Sequence, residues 1–251
     1  MFALGGIIWG TPTQDNAGNA IANPSPIICG TMQDAELEFK WELKKLRGEK
    51  QFAVAVNRAG ADVTGKVKHA DIRAGFYETI VFGQAGVAGL TSAVYDTAGA
   101  TIPATPFTVT PTIPGTGTFA ADLGVIDVTT GRALTRVASA PTAGQYSVAA
   151  GVYTFAAADT GKLVYINFRY TATSTTARRI NVTNGLMGYT PKFRLDMYLP
   201  YEGKSAIFTL NTCIADGAKF GVKNDDFTVP EFGFTVQADA QGNIGTLAFT
   251  E

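Results

Sequence analysis

Histidine is nearly absent from this 251-residue chain: the only one is His69. That excludes His-rich metal sites and makes a His-based catalytic triad an unpromising reading. Cysteine is scarce as well. Cys29 and Cys213 are the only two, too few for a disulfide framework, and they read best as reduced, buried thiols. Charge is thin, at 16% of residues against a usual share of about 25%. Neither sign dominates: 20 Lys and Arg oppose 21 Asp and Glu, a net charge of -1. A general nucleic-acid binder would carry a basic excess. No apolar run approaches the roughly 18 residues needed to span a bilayer. The opening MFALGGIIWG lacks the basic flank of a signal peptide. These absences predict a chain made in a cytoplasm, with no cofactor and no membrane partner. A near-neutral surface also favours association between copies.

The charges are unevenly spread. Only eight lie within residues 86–171, and the other 33 lie in the remaining 165 residues. The middle segment is rich in Ala, Thr, Gly, Val and Pro. This shift predicts a discontinuous host domain, 1–85 with 172–251, interrupted by a separate module at 86–171, since insertions are tolerated at exposed loops.

The flanks read as strands. Glu36 to Lys44 alternates charged and apolar residues without a break, the period-two signature of a half-buried strand. Leu37, Phe39, Trp41 and Leu43 are expected to face the core. Glu36, Glu38, Lys40, Glu42 and Lys44 are expected to face outward. Leu46–Glu49 reads as a turn, Gln51–Val56 as a second strand and Val63–Lys68 as a third. Lys192, Arg194 and Asp196 repeat the alternation near the other end, followed by a strand at Ala206–Leu210. Phe232–Ala238 and Ile244–Phe249, joined by the turn Asp239–Asn243, read as a closing hairpin. Ile72, Phe76 and Ile80 are four apart, which predicts one amphipathic helix of about three turns capped by Asp71 and ended by Gly83.

In the middle segment, short strands at 107–109, 124–128, 145–148, 151–155 and 163–170 are punctuated by turn residues, the pattern of an immunoglobulin-like sandwich. The Cys…Trp…Cys signature of true immunoglobulin domains is missing.

Little in the chain carries chemistry. His69, among Lys66, Lys68 and Asp71, reads as an ordinary polar residue between a strand and a helix rather than a base. Asp225 and Asp226 lack the alternating oxygen donors of a calcium loop and read as a solvated turn. Asp159-Thr160-Gly161-Lys162 lacks the glycine and hydroxyl of a phosphate loop. Asn181-Val182-Thr183 fits a glycosylation sequon, but with no signal peptide it has no route to modification. No catalytic, cofactor or metal site emerges, and the chain is read as a non-enzyme.

Four segments, LKKLRGEKQFAVAV, GKVKHADI, YTPKFRLDMYLP and DDFTVPEFGFTVQADAQGNIGTLAFTE, resemble the tail tube (major tail) proteins of long-tailed bacteriophages. The last is the most specific, with its acidic pair, FTVPEF, alternating strand and DAxGN turn. The segment APTAGQYSVAAGVYTFAAADTGKLVYINFRYTA resembles the small β modules appended to many phage structural proteins. The resemblance implies a mainly β fold: a β-sandwich or half-barrel with one flanking α-helix, carrying the inserted all-β sandwich on the exterior. It also implies a virion tail protein whose main partner is itself, in hexameric rings that stack into a tube. Other tail proteins would join it, and viral DNA would pass through without tight binding. On that reading Glu36, Glu38, Lys40, Glu42, Lys44, Lys192, Arg194 and Asp196 are candidates for a lumen or intersubunit strand face. Two other readings compete. One is a head-decoration or tail-completion protein. The other is a carbohydrate- or receptor-binding module that uses Tyr146, Tyr153, Phe155 and Tyr165.

Overall fold

The chain is mainly β, with 54% of residues in strands and 6% helical. The computed structural model describes residues 5–184, 187–222, 224 and 229–250. Two compact units emerge: Met1–Gly86 with Ile180–Glu251, and Val87–Arg179.

The first unit begins with β1 (Ile7–Gln14), β2 (Ile27–Arg47) and β3 (Ala53–His69). Helix α1 (Ala74–Phe76) follows and continues as a π-helical turn over Tyr77–Val81. The second unit holds β4 (Val87–Ala88), β5 (Leu90–Val94), β6 (Ala100–Thr101), β7 (Thr108–Val109), β8 (Thr118–Asp127), β9 (Thr135–Arg136), β10 (Gln145–Ala149), β11 (Val152–Phe155), β12 (Leu163–Ala172) and β13 (Arg178–Arg179). The chain then returns to the first unit for β14 (Lys192–Tyr201), β15 (Lys204–Lys219), β16 (Glu231–Val236) and β17 (Gly245–Phe249).

In the first unit the strand order is β14-β1-β2-β3-β16-β15-β17, and a further β14–β15 pairing closes six of these strands into a barrel. Alternation explains the closure. Phe193, Leu195 and Met197 of β14, Phe232 and Phe234 of β16, and Val63 and Val67 of β3 all bury every second side chain into one core. Phe76, Tyr77 and Ile80 of the helical segment join that core. Two close approaches depend on missing side chains. A Cβ on Gly65 would run into the ring of Phe234, its partner across the β3–β16 ladder, and one on Gly10 would press on Ile80.

The helical segment is shorter than the spacing predicts. Ile72 is exposed, and Arg73 occupies the cap position with no side-chain bond. Asp71 is engaged elsewhere: its carboxylate accepts from the Thr31 backbone N–H at 2.6 Å and from Arg73 Nε at 2.8 Å. A carboxylate taken up across the chain cannot cap the helix. Gly83, at φ 59°, ends the helical segment as its sequence position suggests.

Three further expectations are corrected. Residues 53–69 form one continuous strand, in which a register shift between the pairs Glu42↔Gly60 and Leu43↔Arg58 absorbs Ala59. The strand over Ala206–Leu210 is the middle of the much longer β15. β16 and β17 do not form a hairpin with each other. The turn does form, with Asp239 Oδ1 accepting from the N–H groups of Gln241 and Asn243. Both strands instead pair with β15, β16 along residues 213–219 and β17 along 206–210. β15 has 16 residues, and its two partners have six and five, so they fit end to end along one edge.

The second unit contains two four-stranded sheets, β7-β11-β10-β9 and β5/β6-β12-β8. They enclose a separate core of Ile102, Val125, Tyr146, Tyr153, Phe155, Val164, Ile166 and Phe168. The unit extends to Arg179 rather than residue 171 because β13 returns to pair with β4, Arg179 opposite Val87. Each unit thus has its own core, and the insert's two ends are neighbours in one ladder. Replacing residues 87–179 with a short Gly-Ser linker should leave the barrel unit folded, and the isolated 87–179 segment should unfold cooperatively. Circular dichroism and thermal melts of the two fragments check this.

Candidate functional site

The one histidine and the two cysteines of the chain lie inside the barrel unit. His69 lies between a strand and the helical segment, as its sequence neighbourhood suggests, and is fully buried at the end of β3. Its Nδ1 lies 2.8 Å from the Asp71 carbonyl, which can only accept, so Nδ1 carries the proton. Its Nε2 lies 2.8 Å from the Tyr77 hydroxyl and accepts from it. The imidazole therefore ties the end of β3 to the helical segment. Burial, with a smaller contribution from Cys29, pushes the Tyr77 hydroxyl up to about 12. Both cysteines are free and buried, and burial pushes each thiol up to about 12. At neutral pH they are protonated and poor nucleophiles.

The remaining motifs are also accounted for by structure. Asp159 is buried, with Lys162 Nζ 2.6 Å from one carboxylate oxygen and the Gly144 N–H 2.7 Å from the other, which makes its motif a pinned turn. The Thr183 hydroxyl accepts from Gln84. Asp225 and Asp226 lie outside the described residues. Among the described residues, no cluster of three or more His, Cys, Asp or Glu could hold a metal. Tyr146, Tyr153 and Phe155 belong to the insert's core, and both tyrosine hydroxyls donate to Asp122. Three of the four aromatics offered as a glycan platform are therefore not at the surface.

The distinctive surface lies along β2, β3 and β17. β1 pairs with β2 only as far as Thr31, and β16 pairs with β3 only from Val63 onward. Beyond these points β2 and β3 pair only with each other. They form a two-stranded arm, its tip near residues 48–52, with both outer edges unpaired among the described residues. The expected core face of β2 is only partly covered. Leu37 and Phe39 are half-buried, but Trp41 is 47% and Leu43 56% exposed, because they stand past the last barrel partner. Val54 and Val56 are exposed on the same arm. Phe39 stacks with Trp41, and the Arg58 guanidinium lies 4.6 Å over the Trp41 ring. These contacts stiffen the arm without burying it.

Glu36, Glu38, Lys40, Glu42 and Lys44 do share one exposed face of β2. The residues opposite them on β3 are Lys66, Thr64, Asp62, Gly60 and Asn57, so unlike charges meet at two of the five positions. A neighbouring ion pair, Lys68 with Asp34, closes at 2.9 Å. Lys192, Arg194 and Asp196 are not part of this face. They lie on β14, on the far side of β1, where Arg194 pairs with Asp196 and Asp196 accepts from Thr209. The eight candidates thus fall into two separate surfaces.

Where β1 leaves β2, a cavity of about 630 Å³ opens beside the free edge, lined by Gly6, Met32, Asp34, Leu37, Leu199 and Phe208 among others. At the other end of the strand order, β17 leaves its outer edge unpaired among the described residues. It carries no charge, proline or bulge, and all five of its residues are exposed. Such bare edges template pairing with another chain. Alternation alone predicted neither edge. The usable signals were the length of the β2 pattern and the uncharged run GTLAF near the C-terminus.

No known protein family and no curated protein sequence matches the chain.

His69 and Asp71 each yield a prediction. Tyr77→Phe removes the only donor to His69 Nε2 among the described residues, and an unsatisfied buried acceptor costs about 1–3 kcal/mol. The denaturation midpoint of the barrel unit should fall, with the insert's transition unchanged. The Arg73 guanidinium, followed by the Thr31 N–H, holds the Asp71 carboxyl below its usual range. Its stabilising contribution is therefore present above the unfolded value of about 3.9 and lost as pH falls through the lower folded value. Asp71→Asn should flatten that part of the barrel's thermal-midpoint profile between pH 5 and pH 2.

Proposed function

We propose that this chain is a self-assembling structural subunit: a phage tail tube protein whose hexameric rings stack into the conduit for DNA ejection. The observation that supports this reading best is the uncharged outer edge of β17, together with the outer edge of β2 that lacks a partner strand among the described residues. A soluble monomer ordinarily protects such edges with charge, proline or a bulge. Here one edge is the uncharged β17 and the other is the outer side of the charged strand β2, which opens on a cavity lined by both apolar and polar side chains. Two different edges that meet between copies make a head-to-tail contact, and repetition of such a contact closes a ring when the rotation permits. The arm's exposed Trp41, Leu43, Val54 and Val56 add apolar area for a neighbour to cover. The six-fold count, the tail location, the other tail proteins as partners and the passage of DNA come from the sequence resemblance. In this reading the insert sits on the tube's exterior.

Electron microscopy of the purified chain tests the proposal. Rings or tubes of uniform bore are expected, and a strictly monomeric particle at high concentration overturns it. Leu247→Lys places a charge on the β17 edge and should block assembly while leaving the monomer's circular dichroism unchanged.

A further inference from the structure

The arm's tip differs from the rest of the molecule in charge. Lys44, Lys45, Arg47 and Lys50 fall within seven residues, opposed only by Glu49, in a chain whose net charge is -1. All four cations are exposed. None has an ion-pair partner among the described residues. We propose that the arm tip, residues 44–52, binds the phosphate backbone of nucleic acid.

Distance makes the local charge count. The last residue of β2 opposite a barrel-paired position is Phe39, which faces Val63. At about 3.3 Å per residue, Lys44 to Arg47 lie roughly 17–26 Å further along the strand. The screening length at physiological ionic strength is about 8 Å. The carboxylates of the barrel therefore do not cancel the tip's charge; Glu42 and Glu49 offset part of it, and an approaching polyanion still meets a net basic site.

The spacing of the cations fits the phosphate backbone of nucleic acid. Lys45 and Arg47 point to the same face, about 6.6 Å apart. Phosphates follow one another at about 3.4 Å of axis per strand, so the two cations match every second phosphate. A lysine- and arginine-rich run of this length is a recognised nucleic-acid patch pattern. Three or four phosphate contacts hold weakly and release with salt, so the contact is compatible with DNA that slides past. The inference goes beyond the assembly proposal and does not rest on it.

Fluorescence anisotropy of the full chain with a short labelled DNA duplex of random sequence tests it. Binding should be detectable at about 50 mM salt and largely lost by about 200 mM, with a log–log slope near −3. The variant K44Q/K45Q/R47Q/K50Q should lose binding at least tenfold with an unchanged melting profile. The control K204Q/K219Q removes exposed cations from β15 and should bind as the parent does. Absence of binding at low salt overturns the proposal, as does equal loss in both variants. Binding to anionic lipid vesicles without binding to DNA also overturns it.

Discussion

The organising constraint is a mismatch of strand lengths. β2 and β3 are paired from Met32–His69 to Arg47–Ala53, but the barrel supplies neighbours for only part of that ladder. Within the covered part, Val63, Val67 and Cys29 are buried. Outside it, the same alternation yields exposed Trp41 and Leu43. The ladder continues because backbone hydrogen bonds, β-branched residues and cross-strand pairs support it locally. Each such pair contributes a fraction of a kcal/mol, enough to hold an arm in shape but not to bury it. The free edge of β2, the cavity beside it and the basic tip all follow from this one mismatch.

Period-two patterns made most of the fold legible. The strands at Glu36–Lys44, Lys192–Leu199, Phe232–Val236 and Leu163–Tyr170 can all be read from alternation. What alternation could not report was the extent of each strand or its partner. It placed Trp41 and Leu43 in a core because it records side-chain polarity, while burial depends on whether a third strand is present. It paired β16 with β17 because they flank a good turn. β15 is long enough to take both, which could be known only from the register. Asp71 looked like a helix cap from its position, but its carboxylate is committed to Thr31, forty residues away. His69 gave no sign of burial, because the groups that satisfy it, the Tyr77 hydroxyl and the Asp71 carbonyl, become neighbours only when the helical segment docks on β3.

The charge statistics also take on a different meaning in three dimensions. The near-zero total combines a charge-poor insert, a barrel with several of its aspartates taken up internally, and an arm with a basic tip. A single average suggested indifference to polyanions. The distribution places a net basic cluster where screening separates it from the carboxylates of the barrel.

The two-stranded neck at the root of the insert has a mechanical consequence. Val87 and Arg179 face each other in one antiparallel pair, so the chain enters and leaves the insert about 5 Å apart. Tension along the rest of the polypeptide crosses that short gap through the β4–β13 ladder. The 93 residues of Val87–Arg179 are shunted out of the load path. A strain that opens or stretches the first unit would reach the insert's core only after the neck itself had unzipped.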